Sequence, residues 1–167
     1  MKKMTEENLW NAFAGESQAH MKYMAFADKA ERDNFPNVAR LFRANSFAEQ
    51  VHATNHLRTL SGIGKTGENL LAAIEGETFE VEEMYPAYVS VAKEQSEPGA
   101  ETMTKWALAA EKVHAELYKK AKEAVDQSQD MSIESIHVCQ VCGFTVEGEA
   151  PDVCPVCGSP KEKFKEF

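Results

Sequence analysis

The sequence predicts a mainly α protein: a four-helix bundle followed by a small metal-binding domain with short β-strands. Three observations lead there. Four long segments repeat apolar residues at helical spacing, bounded by Gly, Pro and polar breakers. Acids and histidines lie inside those apolar stripes, twice as a Glu-x-x-His pair. All four cysteines fall between positions 139 and 157, in two Cys-x-x-Cys-Gly runs.

Composition narrows the function classes. A chain of 167 residues holds one core of moderate size, or one plus a small appendage. With 18 Lys and Arg against 27 Asp and Glu and a net charge of -9, it lacks the basic face that nucleic acid requires. No apolar run reaches the length of a membrane span and no targeting signal opens the chain, so a cytoplasmic protein is expected. In that reducing compartment, clustered cysteines read as ligands for a metal before they read as disulfides.

Taken in order, the first helix is expected from Thr5, followed by acids that suit the helix dipole, to near Phe35-Pro36. Its inner stripe is Leu9, Phe13, Glu16, His20, Tyr23 and Ala27. The second is expected over about 37–60, stopped by the three glycines between Ser61 and Gly67. Phe42, Glu49, Ala53, His56 and Leu60 share its stripe, with His52 at the edge, leaving two histidines for one ligand role. The third is expected over about 68–94. Leu70, Ile74, Val81, Met84 and Tyr88 define its stripe; Glu77 falls on it, Glu80 borders it, and Glu75, Glu82 and Glu83 point outward. Pro86 removes a backbone hydrogen bond and predicts a kink or bulge a turn beyond Glu80. The fourth is expected over about 100–127, with Met103, Ala107, Ala110, Glu111, His114, Tyr118, Ala121 and Val125 on one side.

A Glu and a His three residues apart sit on one helix face, close enough to share a metal ion. Both copies, Glu49 with His52 and Glu111 with His114, face inward or border the inward stripe. A buried carboxylate and imidazole cost several kcal/mol unless paired or metal-bound. One such pair is readily a satisfied core pair, whereas two in register favour metal. The expected domains are 1–128 for the bundle, 129–136 for a polar linker and 137–167 for the cysteine module. There, Cys139 with Cys142 and Cys154 with Cys157 place four thiolates around one ion, with Gly143 and Gly158 giving the backbone its freedom. Four thiolates suit iron and zinc alike, and a structural zinc ribbon is the less favoured alternative on the cysteines alone.

The inward inventory of Glu16, Glu49, His52, Glu77, Glu80, Glu111 and His114 matches the donor set of ferritin-like carboxylate proteins with one Glu extra. Across nearly its whole length the chain resembles the rubrerythrins: Phe13-Ala14-Gly15-Glu16-Ser17-Gln18-Ala19, both Glu-x-x-His pairs, Glu77-Thr78-Phe79-Glu80 followed by Met84-Tyr85-Pro86, and the closing CxxCG…CPxCG. The resemblance implies two non-heme irons in the bundle and one iron on the four cysteines, zinc being the alternative there. It further implies a peroxidase that reduces hydrogen peroxide to water, with rubredoxin or another reductase as electron donor. Carried across by motif, Glu49 and Glu111 bridge the irons, and Glu16 with His52 and Glu80 with His114 complete the two sides. The family's mobile carboxylate, which trades places with a histidine, falls on Glu80 opposite His52; Glu77 is then the steady ligand beside His114. Tyr23 and Tyr85 match tyrosines that flank the family's ligands. An iron-oxidising or storage protein with a structural zinc ribbon is the competing reading.

Chain length adds one expectation. In a one-crossover bundle, helices two and three run parallel, so the chain must return about 28 Å at 1.5 Å per residue. Ser61 to Gly67 stretches to roughly 25 Å at most. Helix pairs exchanged between two subunits resolve the shortfall, predicting a homodimer in which each site takes Glu16, Glu49 and His52 from one chain and Glu77, Glu80, Glu111 and His114 from the other. A plain up-down hairpin is the alternative.

Overall fold

In the computed structural model, which describes Met1–Phe167, the apolar periodicity becomes four helical runs. Helix α1 spans Lys3–Arg32 and α2 Pro36–Thr59. The third run comprises α3 Thr66–Phe79, a π-helical turn Glu80–Met84 and α4 Tyr85–Glu94; the fourth is α5 Pro98–Asp126. The expected ranges therefore hold to within a few residues at each end. Thr5 is not the start of α1: Lys2 occupies the N-cap without a side-chain bond, and Thr5 lies inside the first turn.

The chain divides into two compact units, Met1–Gly64 and Lys65–Phe167. In the first, α1 and α2 form a helical hairpin around Ala27, Ala30, Ala39 and Ala53, small side chains that let the two backbones approach. In the second, α3 and α4 pack on α5 around Ala92, Ala110 and Ala115.

All four runs end alike. Asn34, Ser61, Ser96 and Ser128 adopt positive φ, between 56° and 67°. The next N–H then reaches back five residues: Phe35 to Ala30, Gly62 to Leu57, Glu97 to Ala92 and Gln129 to Ala124, at 2.8–3.0 Å. This C-terminal motif normally uses glycine at the left-handed position. Helix α2 thus stops on Ser61, not on one of the expected glycines. Gly62 beside it lies against Leu57, whose side chain would have to shift to admit a Cβ there.

The irregularity foreseen from Pro86 is the π-turn, and it begins at Glu80 itself. The Tyr85 N–H bonds the Glu80 carbonyl five residues back, so the proline arrives after the turn has already widened.

The C-terminal segment is a three-stranded antiparallel sheet in the order β2-β1-β3, with β1 Ile136–Cys139, β2 Thr145–Glu147 and β3 Phe164–Glu166. Val138 pairs with Thr145 on one side and Lys165 on the other.

Tyr88, Met103 and Tyr118, expected on inward stripes, are 50%, 52% and 38% exposed. Their stripes are wider than one helix partner covers. Met21, Phe26, Leu41 and Phe47 of the first unit are exposed as well.

Candidate metal centres

Each helical unit gathers one Glu/Glu/His triad. In the first, Glu16 on α1 meets Glu49 and His52, one turn apart on α2. His52 Nδ1 lies 3.0 Å from Glu49 Oε2 and 3.9 Å from Glu16 Oε1. In the second, Glu77 on α3 meets Glu111 and His114 on α5. His114 Nδ1 lies 2.6 Å from Glu111 Oε2 and 3.9 Å from Glu77 Oε2. The two triads share one geometry and differ in shelter: the His52 side chain is 55% exposed, that of His114 27%.

A spacing relation underlies the likeness. Glu16 and Glu49 stand 33 positions apart, Glu77 and Glu111 34. The π-turn, which holds one residue more than an α-turn, takes up the extra position and leaves the second triad in register. Its first residue is the additional acid, Glu80.

The second triad is electrostatically unsatisfied as it stands. Burial first, then the adjoining Glu111 carboxyl and the charge of Glu80, push the Glu77 carboxyl up to about 7. Glu77 Oε2 is buried without a hydrogen-bond partner. Glu80 is raised by burial and by the Glu111 charge, His114 opposing; Tyr85 is raised by burial and by Glu111, Glu80 and Glu77. A hard cation among these oxygens, with Nδ1 as the nitrogen donor, would remove both the repulsion and the orphaned oxygen. The donors present therefore fit a carboxylate- and imidazole-bound metal.

The other expected residues take distinct places. Glu80 lies outside the compact triad, so Glu77 is the acid that the structure groups with Glu111 and His114. The first triad uses His52 and leaves out His56. His20 is occupied elsewhere, its Nδ1 lying 2.9 Å from both the Ser46 carbonyl and hydroxyl. Tyr23 packs its ring against Phe26 and Phe42. Tyr85 stacks edge-on with Tyr88, next to the second triad's carboxylates.

The four cysteines are free thiols with their sulfurs gathered together. Cys139 and Cys157 approach to 3.7 Å, Cys142 and Cys154 to 3.6 Å. A tetrahedral ion with bonds of about 2.3 Å sets its ligands roughly 3.8 Å apart, so the cluster has the span of such an ion. Gly143 (φ 80°) and Gly158 (φ 74°) close the two knuckles with N–H bonds of 2.9 Å to the Cys139 and Cys154 carbonyls. Burial pushes the Cys142 and Cys154 thiols up. Burial opposes the charged form of Cys157 too, but hydrogen bonds from the Ser159 hydroxyl and N–H and from Cys142 and Cys154 together bring this thiol down to about 6.

Residues absent from the sequence expectations join the cysteine module to α5 within the second unit. His114 Nε2 lies 2.8 Å from Thr145 Oγ1, and Lys120 Nζ lies 2.6 Å from Glu147 Oε2. Beside them an apolar cavity of about 320 Å³ is lined by Leu117, Tyr118 and Ala121 of α5 and by Met131, Ile133 and Ile136. No motif marks Thr145: it is a β-branched residue in a short strand, where β-branched residues are common.

These features define a ferritin-like helical metalloprotein with an appended rubredoxin-like four-cysteine module. Family models agree: one described as Rubrerythrin matches residues 7–122, and one described as Rubrerythrin, rubredoxin-like domain matches 137–165. The chain belongs to the rubrerythrin family. Rubrerythrin-2 of Clostridium acetobutylicum is 39% identical, over 98% of this chain and 97% of its own length. Nigerythrin of Nitratidesulfovibrio vulgaris is 34% identical, over 98% of this chain and 86% of its own. The solved structure of nigerythrin in a mixed-valence state has a TM-score of 0.54 with the same identity and coverage. Members of the family are oxidoreductases, and the metal complement is theirs: a di-iron site and a four-cysteine site. No helix is long and apolar enough to cross a membrane.

Proposed function

We propose that the protein is a peroxidase that reduces hydrogen peroxide to water (H₂O₂ + 2 H⁺ + 2 e⁻ → 2 H₂O), protecting the cytoplasm against oxidative stress. The division follows 1–128 for the di-iron bundle, 129–136 for the linker and 137–167 for an electron-relaying, rubredoxin-like iron module fed by rubredoxin or another reductase. The observation that carries this reading is the union of the two triads with a cysteine cluster whose strand β2 reaches a ligand histidine.

A pair of ferrous ions held by the triads would supply two electrons to one O–O bond. The protein's own part is to hold and orient. Glu49 and Glu111 would be shared between the two ions, Glu16 with His52 would hold one of them, and Glu77 with His114 the other. Glu80, set apart at the π-turn, is the mobile carboxylate opposite His52. Tyr23 and Tyr85 flank the ligands. Four thiolates leave an ion no open position, so the four-cysteine centre passes electrons and performs no chemistry on peroxide.

The site is completed in a homodimer by exchange of helix pairs. Two features support this: each unit assembles a triad from its own residues, and each leaves large apolar side chains exposed. Burying those side chains against a second copy would give the association its driving force.

Steady-state peroxide consumption with an external donor tests the activity, and visible absorption of the four-cysteine centre separates iron from zinc. Mixing Glu49→Ala with Glu111→Ala chains tests the exchange. A heterodimer then has one site with both lesions and one with neither, so co-folded mixtures should regain up to about half of the wild-type activity per heterodimer. No recovery in a mixture shown to contain heterodimers would rule the exchange out.

A further inference from the structure

We infer that Thr145, on strand β2 of the four-cysteine module, is a positioning residue for His114, fixing which ring nitrogen faces the carboxylates of the second triad. This rests on the reading of Glu77, Glu111 and His114 as metal ligands.

The argument is one of proton counting. The Thr145 hydroxyl is nearly sealed from solvent, at 6% exposure. Its oxygen lies 3.1 Å from the Gly143 carbonyl and 2.8 Å from His114 Nε2. A hydroxyl has one proton to give, and a carbonyl can only accept. With a cation on Nδ1 the neutral ring keeps its proton on Nε2; Thr145 Oγ1 then accepts it and gives its own proton to the Gly143 carbonyl, so every donor and acceptor is matched. A cation replaces the proton by which Nδ1 donates to Glu111 Oε2 at 2.6 Å, leaving the ring as the Nε2–H form. That is the tautomer a metal needs, held by the outer hydrogen bond that ligand histidines usually make.

His52 has no counterpart. Its ring is half-exposed, and its hydrogen bond is to Glu49 through Nδ1. Of the two ligand histidines, only His114 is thus set by the cysteine module. Gly143 also belongs to the knuckle that holds Cys142, so the same hydroxyl ties the ring to the thiolate cluster's own loop. The other polar tie between α5 and β2, Lys120 to Glu147, is a surface ion pair and contributes little to holding the ring.

The test uses the full-length chain and three substitutions: Thr145→Val, which keeps the shape and removes the hydroxyl; Thr145→Ser, which restores it; and Lys120→Ala. Imidazole ¹⁵N shifts, recorded on the zinc(II)-loaded protein, report which His114 nitrogen keeps its proton. The expected result is Nε2–H in the wild type, the Ser variant and the Lys120 variant, and a mixture of tautomers in the Val variant. Cobalt(II) affinity at one of the two ions should fall about tenfold in the Val variant and recover in the Ser variant. An unchanged tautomer in the Val variant overturns the inference. So does an equal shift in the Ser or Lys120 variants, which would assign the effect to packing or to docking of the tail as a whole. Peroxide turnover is a separate readout: a wild type that shows the Thr145 effect but consumes no peroxide defeats the proposed activity and leaves the positioning role standing.

Discussion

Metal uptake by the Glu77, Glu111, His114 triad should weaken steeply as pH falls, and Glu77 should account for much of the fall. Its carboxyl is pushed up to about 7 by burial and by Glu111 and Glu80. A cation must displace the proton it holds, so binding releases protons and tightens with rising pH. With a pKa near 7, the ionised fraction drops about thirty-fold between pH 8 and pH 5.5, and the apparent affinity should drop in proportion. The metal-free protein should show the opposite sign. A folded pKa above the ordinary 4.5 gives a stability contribution that is present below the unfolded value and lost as pH rises through about 7. Glu77→Gln removes the competing proton together with a ligand charge: affinity at pH 8 should fall, and the slope against pH should flatten. Histidine protonation remains in both proteins, so the difference between the two slopes is the share of Glu77. Cobalt(II) titrations from pH 5.5 to 8, with calorimetry in buffers of differing ionisation enthalpy to count protons, measure both quantities. Equal slopes in wild type and the Gln variant would refute the reasoning.

Other substitutions probe other links. Glu111→Ala removes the acid nearest His114 and should lower metal occupancy sharply with the helices intact, whereas Glu83→Ala, on the solvated face, should change it little; metal analysis with circular dichroism decides, and equal effects would mean the wrong face was assigned. Truncation after Gln127 should keep about two irons per chain, the ligands all lying before residue 115, but bind one of them more weakly for want of Thr145; it should also lose most turnover from an external donor. Iron content near zero would contradict the ligand assignment. Ser61→Gly and Ser128→Gly place glycine where φ is positive and should each stabilise the fold by about 0.5–1 kcal/mol, the relief of the left-handed backbone less the added freedom of the unfolded chain. Urea denaturation with unchanged or lowered midpoints would show that these caps are not strained.

The helices and their acids were legible because the 3.6-residue period sorts side chains by face. It separated Glu77 from Glu75, Glu82 and Glu83, and it put Glu111 and His114 inside. It was less informative where several residue types satisfy one backbone need. Ser and Asn fill the left-handed positions usually given to Gly, so Ser61 ends α2 and the glycines after it do not. Periodicity also cannot say what covers a stripe, which is why Tyr88, Met103 and Tyr118 were expected inside and stand exposed. Spacing alone left His52 with His56, and Glu77 with Glu80, unresolved; the family resemblance favoured His52 and kept both acids, and the distances group His52 and Glu77 with their triads. The Thr145 contact was the least visible of all: it joins segments 31 positions apart through one hydroxyl, in a strand with no periodic signature.

A single anaerobic turnover tests the central claim most directly. The full-length protein, fully reduced and freed of excess reductant, is mixed with one equivalent of hydrogen peroxide per di-iron site, and the visible band of the ferric four-cysteine centre is followed alongside residual peroxide. Three ferrous ions per chain hold three electrons, so the account predicts that the first equivalent disappears, that about half an equivalent more is consumed as the ferric band comes up and electrons drain from the four-cysteine centre into the bundle, and that consumption then stops. A Glu111→Ala chain should do neither at a comparable rate. Peroxide that persists over reduced protein, or a four-cysteine centre that stays reduced after about one and a half equivalents, would contradict the account.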